Sequence, residues 1–568
     1  MSVATERPAA AATPPPPGGR PSARGARTGW LALAGLLVVA FAMLLYLGRS
    51  TSFYFDEWDW IQGRRAWDLD ALLLPHNEHL SLAPVLVFKA LFSTVGIESY
   101  VPYRVAGVAI HCGVVVLLFA YARRRVGDVL ALAAAATVLF LGTAWPDVLW
   151  PFQIGFLGSL AAGIGALLAL DREDRRGDIT AAVLLAVALA SSSLGIPLLF
   201  AVALEVLGRP DRRARWWIIA APAVLYGAWY VGYGGSSSSA TSDNLFGSPS
   251  YVAEAAAGAA GALLSLGRDW GRTLAVGLVV ALLLSLHRRG HASWRLIALI
   301  AAPLAFWFLT AVARGQLGEP ASPRYLYPGV VFLLLIAVEA AAGVRLARGA
   351  LVVGAVILGG ALLGNVGAMR EGAGFLRDES TSVDGALAAL PLVAARVGPD
   401  FQPDPDSAPQ IRSRPYIDAV RDLGSPAPSP RALPGMYERG RAQADELLRR
   451  ALSPRPTPSE VAPAGTAPKV DFVQSASAQA KGACQTLASQ GGAALADVVV
   501  PPEGLLLRPQ AAAFTVSLRR FSDVYGDKPV ATVPAGGQVL LQLPPDASPV
   551  PWHARLAFGG SVRACSRG

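Results

Sequence analysis

The chain has 568 residues, of which 53% are hydrophobic and 16% are charged, and its mean hydropathy is +0.43. A soluble globular protein carries about 25% charged residues, so this composition excludes an ordinary soluble enzyme. The net charge of +9 is due almost entirely to arginine, and it accompanies abundant alanine, glycine and proline. This pattern indicates a GC-rich coding sequence and does not indicate a nucleic-acid-binding protein.

Residues 1–29 are rich in proline, alanine and arginine and cannot bury enough apolar surface to fold, so we expect a disordered basic tail in the cytoplasm. The apolar run 30–47 follows. A cleaved signal peptide is the alternative, but the run is longer than a typical signal core, and no small-residue cleavage site is obvious before Arg49. We therefore expect an uncleaved first membrane span.

Ten further spans are expected. Eight apolar segments are about long enough to cross the membrane, namely 103–121, 129–145, 152–170, 216–233, 273–286, 295–313, 325–343 and 350–368. The segment 179–207 is interrupted by serine, glycine and proline, so it is either one kinked helix or two short spans. The segment 251–266 contains Glu254 and many small residues, and we expect it to lie outside the membrane.

The loop arginines favour one of these topologies, because arginine in short loops prefers the cytoplasmic side. Two short spans from 179–207 place most loop arginines on the side of the N-terminus, whereas one long span would place the cluster at 209–215 outside. We therefore predict a mainly α-helical, multi-pass transmembrane bundle of about eleven spans over residues 30–368. It would lie in the cytoplasmic (plasma) membrane, with the N-terminus in the cytoplasm and the C-terminus outside.

This topology leaves an outer loop, 49–102, and an extracytoplasmic tail of about 200 residues. Residues 369–469 are predicted to be a proline-rich connector with short helices at 416–423 and 439–452. Residues 470–568 show short alternating runs between proline and glycine, which predict a small β-sandwich. Cys484 and Cys565 bracket that domain in an oxidising compartment, so we predict a disulfide between them, the alternative being two unrelated cysteines.

The outer loop carries three carboxylates, Asp56, Glu57 and Asp59, among five aromatic residues of the stretch 53–60. A carboxylate near lipid is desolvated, which raises its pKa and favours a general base. The alternative is an interfacial loop whose acids face water while its aromatic residues anchor the helix.

A second polar cluster follows at His76, Glu78 and His79. Imidazole and carboxylate ligands suit Mn²⁺ or Zn²⁺, while Asp56 and Glu57 would suit Mg²⁺ or Mn²⁺. No closed tetrahedral ligand set is present, so hydrogen bonding to substrate or acid–base support is the alternative role of the histidine cluster.

Cations on the outer side are few, and an anionic substrate would need them. The candidates are Lys89, Arg104 and Arg324, which is followed by Tyr325 at the start of the tenth span. Snorkelling of these side chains to lipid headgroups is the alternative. Gln153, at the end of another short outer loop, is a candidate partner for sugar hydroxyls or a structural cap.

A first span followed at once by an outer loop with the adjacent acids Asp56 and Glu57, a late outer Arg324-Tyr325 pair and an outer C-terminal domain resemble the GT-C class of glycosyltransferases. This class includes the protein O-mannosyltransferases and the lipid A aminoarabinose transferases. The resemblance covers about residues 30–368. It implies a polyprenyl-phosphate-linked sugar donor and transfer, with inversion, to an envelope glycan, lipid or protein on the outer face.

The resemblance also implies roles for individual residues. Asp56 or Glu57 would deprotonate the acceptor hydroxyl or bind a metal ion, and Arg324, with Lys89 or Arg104, would hold the departing lipid phosphate. Asp59 is a third candidate acid, and the histidine cluster has no counterpart in the best-known members. Two other function classes stay open: a lipid or solute transporter or flippase, and a non-catalytic cell-envelope assembly protein.

Overall fold

The computed structural model describes residues 23–234, 242–510 and 512–567, so most of the predicted basic tail lies outside the described residues. A helical part comes first. Its helices are α1 Ala23–Leu47, α2 Glu57–Gly63, α3 Leu69–Leu73, α4 Leu82–Val95, α5 Val101–Leu139, α6 Trp145–Leu149, α7 Ile154–Leu170, α8 Arg175–Ser191, α9 Gly195–Leu207, α10 Arg212–Arg215, α11 Trp217–Tyr233, α12 Ser242–Leu263, α13 Arg268–Arg289, α14 Trp294–Arg314, α15 Pro323–Ala340 and α16 Arg348–Ala389.

Seven helical stretches of the described residues are long and apolar enough to cross a membrane, which confirms a multi-pass membrane protein. One of them, Val101–Leu149, contains two of the predicted spans, because α5 is interrupted at Gly127, whose φ of +78° is left-handed. Helices α8, α9 and α11 have 17, 13 and 17 residues, shorter than the usual spanning length. The number of eleven spans therefore stays a prediction.

The segment 179–207 forms two helices. Helix α8 ends at Ser191, where Ser192 has an extended backbone, and α9 begins at Gly195. Arg215 pairs with Asp178 near the start of α8, at 2.6 Å, and Arg295 bonds to Glu205 near the end of α9, at 2.8 Å. The start of α8 and the end of α9 thus contact arginines of α10 and α14, and the break lies at the opposite ends of the two helices.

Five charged residues form an ionic network on one face of the bundle. Arg125 contacts Asp171, at 3.2 Å, and Glu339, while Arg295 contacts Asp171, at 3.1 Å, and Glu205. These residues belong to or flank the loops that the sequence predicts to share the cytoplasmic side, namely 122–128, 171–178, 208–215, 287–294 and 344–349. We call this side the network face and the side that carries residues 49–100 the loop face.

Helix α16 continues through the predicted domain boundary. The sequence predicts that the last span ends at 368, whereas the helix runs to Ala389 without interruption. The boundary between 368 and 369 therefore falls inside one helix. The apolar pattern marks the part suited to lipid, and hydropathy alone does not show where the helix itself ends. Helices α17, Ser413–Leu423, and α18, Glu438–Leu452, follow at the predicted positions.

The C-terminal domain is an antiparallel β-sheet domain. Its strands are β1 Thr457–Pro458, β2 Val470–Gln474, β3 Ala476–Lys481, β4 Cys484–Val500, β5 Leu505–Pro509, β6 Phe514–Arg519, β7 Ala531–Val533, β8 Val539–Leu541 and β9 Trp552–Ser566. Over the described residues, these strands are joined in one hydrogen-bonded sheet, in which the long strands β4 and β9 pair with each other. Cys484 and Cys565 lie opposite each other at the end of that pair and form a disulfide bond.

The outer loop and the C-terminal region share a hydrophobic core. Phe53, Trp58 and Trp60 of the loop are buried in the same cluster as residues of α16, α17, α18 and the sheet. Ser52 N–H also donates to Ser380 Oγ, at 2.9 Å, on the extension of α16. The loop is therefore held in a fixed position between the bundle and the C-terminal region.

Candidate functional site

A cavity of about 560 Å³ lies at the loop face, between the outer loop, the α8–α9 break and helices α11, α14 and α15. It is lined by residues that are far apart in the sequence. Those that the sequence singles out as candidates are Asp56, His76, Glu78, His79, Gln153, Arg324 and Tyr325. Its remaining walls are largely aromatic and aliphatic, so the polar groups converge in an apolar surrounding, as in many ligand sites.

Asp56 is the carboxylate of the outer loop that lines this cavity. It precedes α2 in the N-cap position, but its side chain makes no capping hydrogen bond. Its Oδ2 accepts from the Asn77 side chain, at 3.3 Å, and lies 3.9 Å from His76 Nε2. Phe55, just before it, has a left-handed φ of +46°, a costly conformation for a non-glycine residue. Because Asp56 lines the cavity and its side chain does not cap α2, the carboxylate is available to a ligand.

Glu57 points away from the cavity and is fully buried. Its carboxylate accepts from the Tyr54 N–H, at 2.8 Å, and from the Tyr100 hydroxyl, at 2.9 and 3.0 Å. Burial raises the pKa of Glu57 to about 8, although these hydrogen bonds favour the charged form. Of the adjacent acids, only Asp56 thus faces the cavity. Glu57 is hydrogen-bonded to neighbouring groups inside the fold.

The two histidines are brought together by a tight turn. His76 and His79 exchange both backbone hydrogen bonds, at 3.0 and 2.9 Å, and the two residues between them have positive φ. Such a two-residue connection is typical of a β-hairpin turn, which puts the flanking side chains next to each other. The H-x-x-H spacing therefore reflects a turn that presents both imidazoles to the cavity.

His79 is held neutral. Burial, and to a smaller extent Arg314, lowers its pKa to about 4. Its Nδ1 shares a hydrogen bond of 2.6 Å with Ser193 Oγ, in the α8–α9 break. At neutral pH this imidazole can therefore donate or accept a hydrogen bond, but it does not supply positive charge.

Asp56, Asp59 and His76 form a group that could hold a metal ion, because one ligand atom of each lies within 4.8 Å of the others. This set differs from the predicted pair, since Glu57 is replaced by Asp59 and His76. Burial raises the pKa of Asp59, with His76 acting in the opposite direction. Asp59 does not line the cavity.

Two arginines line the cavity. Arg324 lies 5.0 Å from the centre of the Tyr325 ring, and its buried Nε has no hydrogen-bond partner within the described residues. Arg314, at the end of α14, donates to the Asn77 carbonyl, at 3.1 Å, and lies 3.8 Å from Glu78. Sequence reasoning missed Arg314, because an arginine at the end of an apolar segment is equally typical of contact with lipid headgroups.

The other two predicted cations do not reach the cavity. Lys89 donates to the carbonyl of Ala66 and lies over the ring of Trp67, and Arg104 donates to the carbonyl of Leu45 in α1. Neither lines the cavity. Lys89 instead links α4 to another part of the outer loop, and Arg104 links α5 to α1.

No protein-family model and no curated protein sequence matches the chain. Among solved structures, it is similar to ArnT from Cupriavidus metallidurans in the apo state, with 14% identity and a TM-score of 0.44 over 73% of this chain and 92% of that chain. It is also similar to ArnT from the same organism bound to undecaprenyl phosphate, with 16% identity and a TM-score of 0.41 over 66% and 82% of the two chains. At these values the similarity carries no information about individual residues or ligands.

Proposed function

We propose that this protein is a membrane glycosyltransferase that moves a sugar from a polyprenyl-phosphate donor to an acceptor at the loop face. The observation that carries the proposal is the meeting of an available carboxylate, Asp56, with two arginines, Arg314 and Arg324, in one cavity. Sugar transfer from a lipid phosphate needs these two functions, a base for the acceptor and cations for the leaving group.

Asp56 is the proposed base. The acceptor hydroxyl loses its proton to the Asp56 carboxylate while its oxygen attacks the anomeric carbon, and the bond from that carbon to the phosphate oxygen breaks. The Asn77 side chain holds the carboxylate by a hydrogen bond of 3.3 Å, and His76 Nε2 lies 3.9 Å from the same oxygen.

Arg324 and Arg314 are the proposed phosphate ligands. The lipid phosphate gains negative charge as the sugar leaves, so cations that contact it stabilise the transition state. The Nε of Arg324, which has no hydrogen-bond partner among the described residues, offers such a contact. Phe306, Leu309 and Tyr226 line the same cavity and provide an apolar surface for the first isoprene units.

The loop face is proposed to be the outer face of the cytoplasmic membrane, because the network face carries the arginine-rich loops that prefer the cytoplasm. The acceptor would be an envelope glycan, lipid or protein. Neutral His79 and Gln153 are proposed to bind sugar hydroxyls, since both line the cavity.

A divalent metal ion is compatible with the donor set of Asp56, Asp59 and His76, which suits Mn²⁺ or Zn²⁺ better than the all-oxygen coordination typical of Mg²⁺. Bound there, it would supply positive charge beside the reacting sugar. Loss of turnover in EDTA with recovery in Mn²⁺ would support such a site. Unchanged turnover after thorough chelation would leave Asp56 acting as a base alone.

The test is a matched pair of neighbouring substitutions, Asp56→Asn and Glu57→Gln, expressed to the same level in cells that lack the native gene. Envelope glycan composition and the amount of polyprenyl phosphate released from lipid-linked sugar in isolated membranes are measured. Asp56→Asn is expected to lower turnover by roughly 100-fold or more, whereas Glu57→Gln retains it. Full turnover in Asp56→Asn would overturn the proposal and favour a non-catalytic role.

A further inference from the structure

A second cavity, of about 440 Å³, lies on the loop face outside the site described above. We call it the polar cleft. It is enclosed by the end of α1, the turn before α5, the extension of α16 and the segment before α18. The residues that carry the argument are Ser50, Glu98, Ser99, Tyr100, Asp384 and Tyr437.

The walls of the polar cleft offer hydroxyls and carboxylates. Ser50 and Ser99 are exposed, and Ser50 has a left-handed φ of +61°. Asp384 interacts with Ser52 and keeps one buried oxygen, Oδ1, without a hydrogen-bond partner among the described residues. A buried carboxylate oxygen without a partner costs free energy, and a ligand that donates a hydrogen bond in the cleft would offset that cost.

The charges of the polar cleft exclude a phosphate ligand. Its two charged side chains, Glu98 and Asp384, are both carboxylates, and none of the lining residues is Lys, Arg or His. These carboxylates would repel a phosphate, and no lining cation would offset that repulsion. The preferred ligand is therefore uncharged and rich in hydroxyl donors.

Tyr437 adds an apolar surface to these polar groups. Its side chain is 81% exposed although it lines the cleft. An exposed aromatic ring beside hydrogen-bond acceptors suits a pyranose ring, because the axial C–H groups of a sugar pack on the ring while its hydroxyls bond to the acceptors. Lipid tails or an apolar peptide would leave the carboxylates unpaired.

The polar cleft lies close to the segment that carries the proposed base. Tyr100, on its wall, donates its hydroxyl to Glu57, the residue next to Asp56. A glycan chain held in the cleft would thus lie close to the segment that carries the proposed base. We propose that the polar cleft binds a neutral saccharide, a sugar unit of the acceptor glycan remote from the reacting hydroxyl, and its assignment to the acceptor rests on the proposed function.

The test uses the full chain in detergent and saturation-transfer NMR with the methyl glycosides of glucose, galactose, mannose and arabinose. Saturation transfer is expected for at least one glycoside. It should weaken at least tenfold in Tyr437→Ala and in Asp384→Asn. Phe472→Ala, which removes another exposed aromatic ring in the C-terminal domain (43% exposed), is the matched control and should leave it unchanged.

Asp56→Asn should also retain the saturation transfer, which separates the polar cleft from the cavity of the proposed base. Transfer from none of the four glycosides would overturn the inference, as would transfer that persists in both cleft variants. Transfer lost in Asp56→Asn but kept in Tyr437→Ala would place the sugar in the main cavity instead. Because this readout needs no turnover, it can succeed even if Asp56→Asn disproves the proposed transferase.

Discussion

Replacing Glu57 with glutamine should make the protein less sensitive to alkaline pH. Glu57 is fully buried, and its pKa rises from an ordinary value of 4.5 to about 8 in the folded chain. Between these two values the folded state binds more protons than the unfolded state, so stability falls as pH rises from about 4.5 to about 8. Glutamine keeps the shape of the side chain and removes this titration.

The size of the effect follows from the shift. Each pKa unit corresponds to about 1.4 kcal/mol, so ionisation of Glu57 in the unfolded chain costs the native protein about 3 kcal/mol of stability between pH 5 and pH 8. With an unfolding entropy of about 2 cal/mol/K per residue, this equals at least roughly 2 °C in Tm for the whole chain. A smaller cooperative unit would show a larger shift.

The assay is thermal unfolding of the detergent-solubilised full chain, followed by tryptophan fluorescence from pH 5 to pH 9. The Tm of Glu57→Gln minus that of the wild type should increase with pH and level off above pH 8. Glu503→Gln, the same chemical change at an exposed position, should give a difference that does not vary with pH. Parallel curves for Glu57→Gln and the wild type would refute the assignment of Glu57 as a buried, neutral carboxyl.

Three further predictions concern other parts of the chain. Arg324→Gln should lower turnover by roughly 10- to 100-fold and Arg324→Lys by less, with polyprenyl phosphate release as the readout; equal turnover in all three proteins would exclude Arg324 from phosphate binding. Cys484→Ser should destabilise the β-sheet domain by up to about 4 kcal/mol, because the bond to Cys565 closes a separation of 81 residues; limited proteolysis should then cut that domain faster, and unchanged cleavage would contradict the expectation. Gly142→Ala should reduce the folded fraction in size-exclusion chromatography, since its Cβ would lie 1.7 Å from the Asn365 backbone oxygen; a normal elution profile would show that α16 can move away.

The sequence predicted where the candidate site lies more accurately than which residues line it. The aromatic and acidic stretch and the histidine cluster were expected to lie on one loop, and they meet at one cavity. Which of the adjacent acids faces it could not be predicted, because consecutive residues at the start of a helix point in directions about 100° apart. The hydrogen bonds that Glu57 accepts from the Tyr54 N–H and the Tyr100 hydroxyl distinguish it from Asp56.

Long-range contacts account for the other differences between the sequence-based predictions and the structure. Arg314 reaches Asn77 across 237 positions of the chain, and no local pattern contains that proximity. The alternation of apolar and polar residues predicted strands in the C-terminal domain, but not their pairing, which joins them in one sheet. The break within 179–207 was visible in its serines, glycine and proline, since these residues disfavour a continuous helix.

The length of helix α16 also determines how far the β-sheet domain lies from the bilayer. Its 42 residues correspond to about 63 Å at 1.5 Å per residue, roughly twice the 30 Å of hydrocarbon that a span must cross. About half of the helix is therefore left to set the height of the β-sheet domain above the bilayer. An insertion or deletion in that half would raise or lower the domain and also rotate it, by about 100° for each residue. The polar cleft, built partly on α16, would lose its alignment with the segment that carries Asp56 after a change of a single residue.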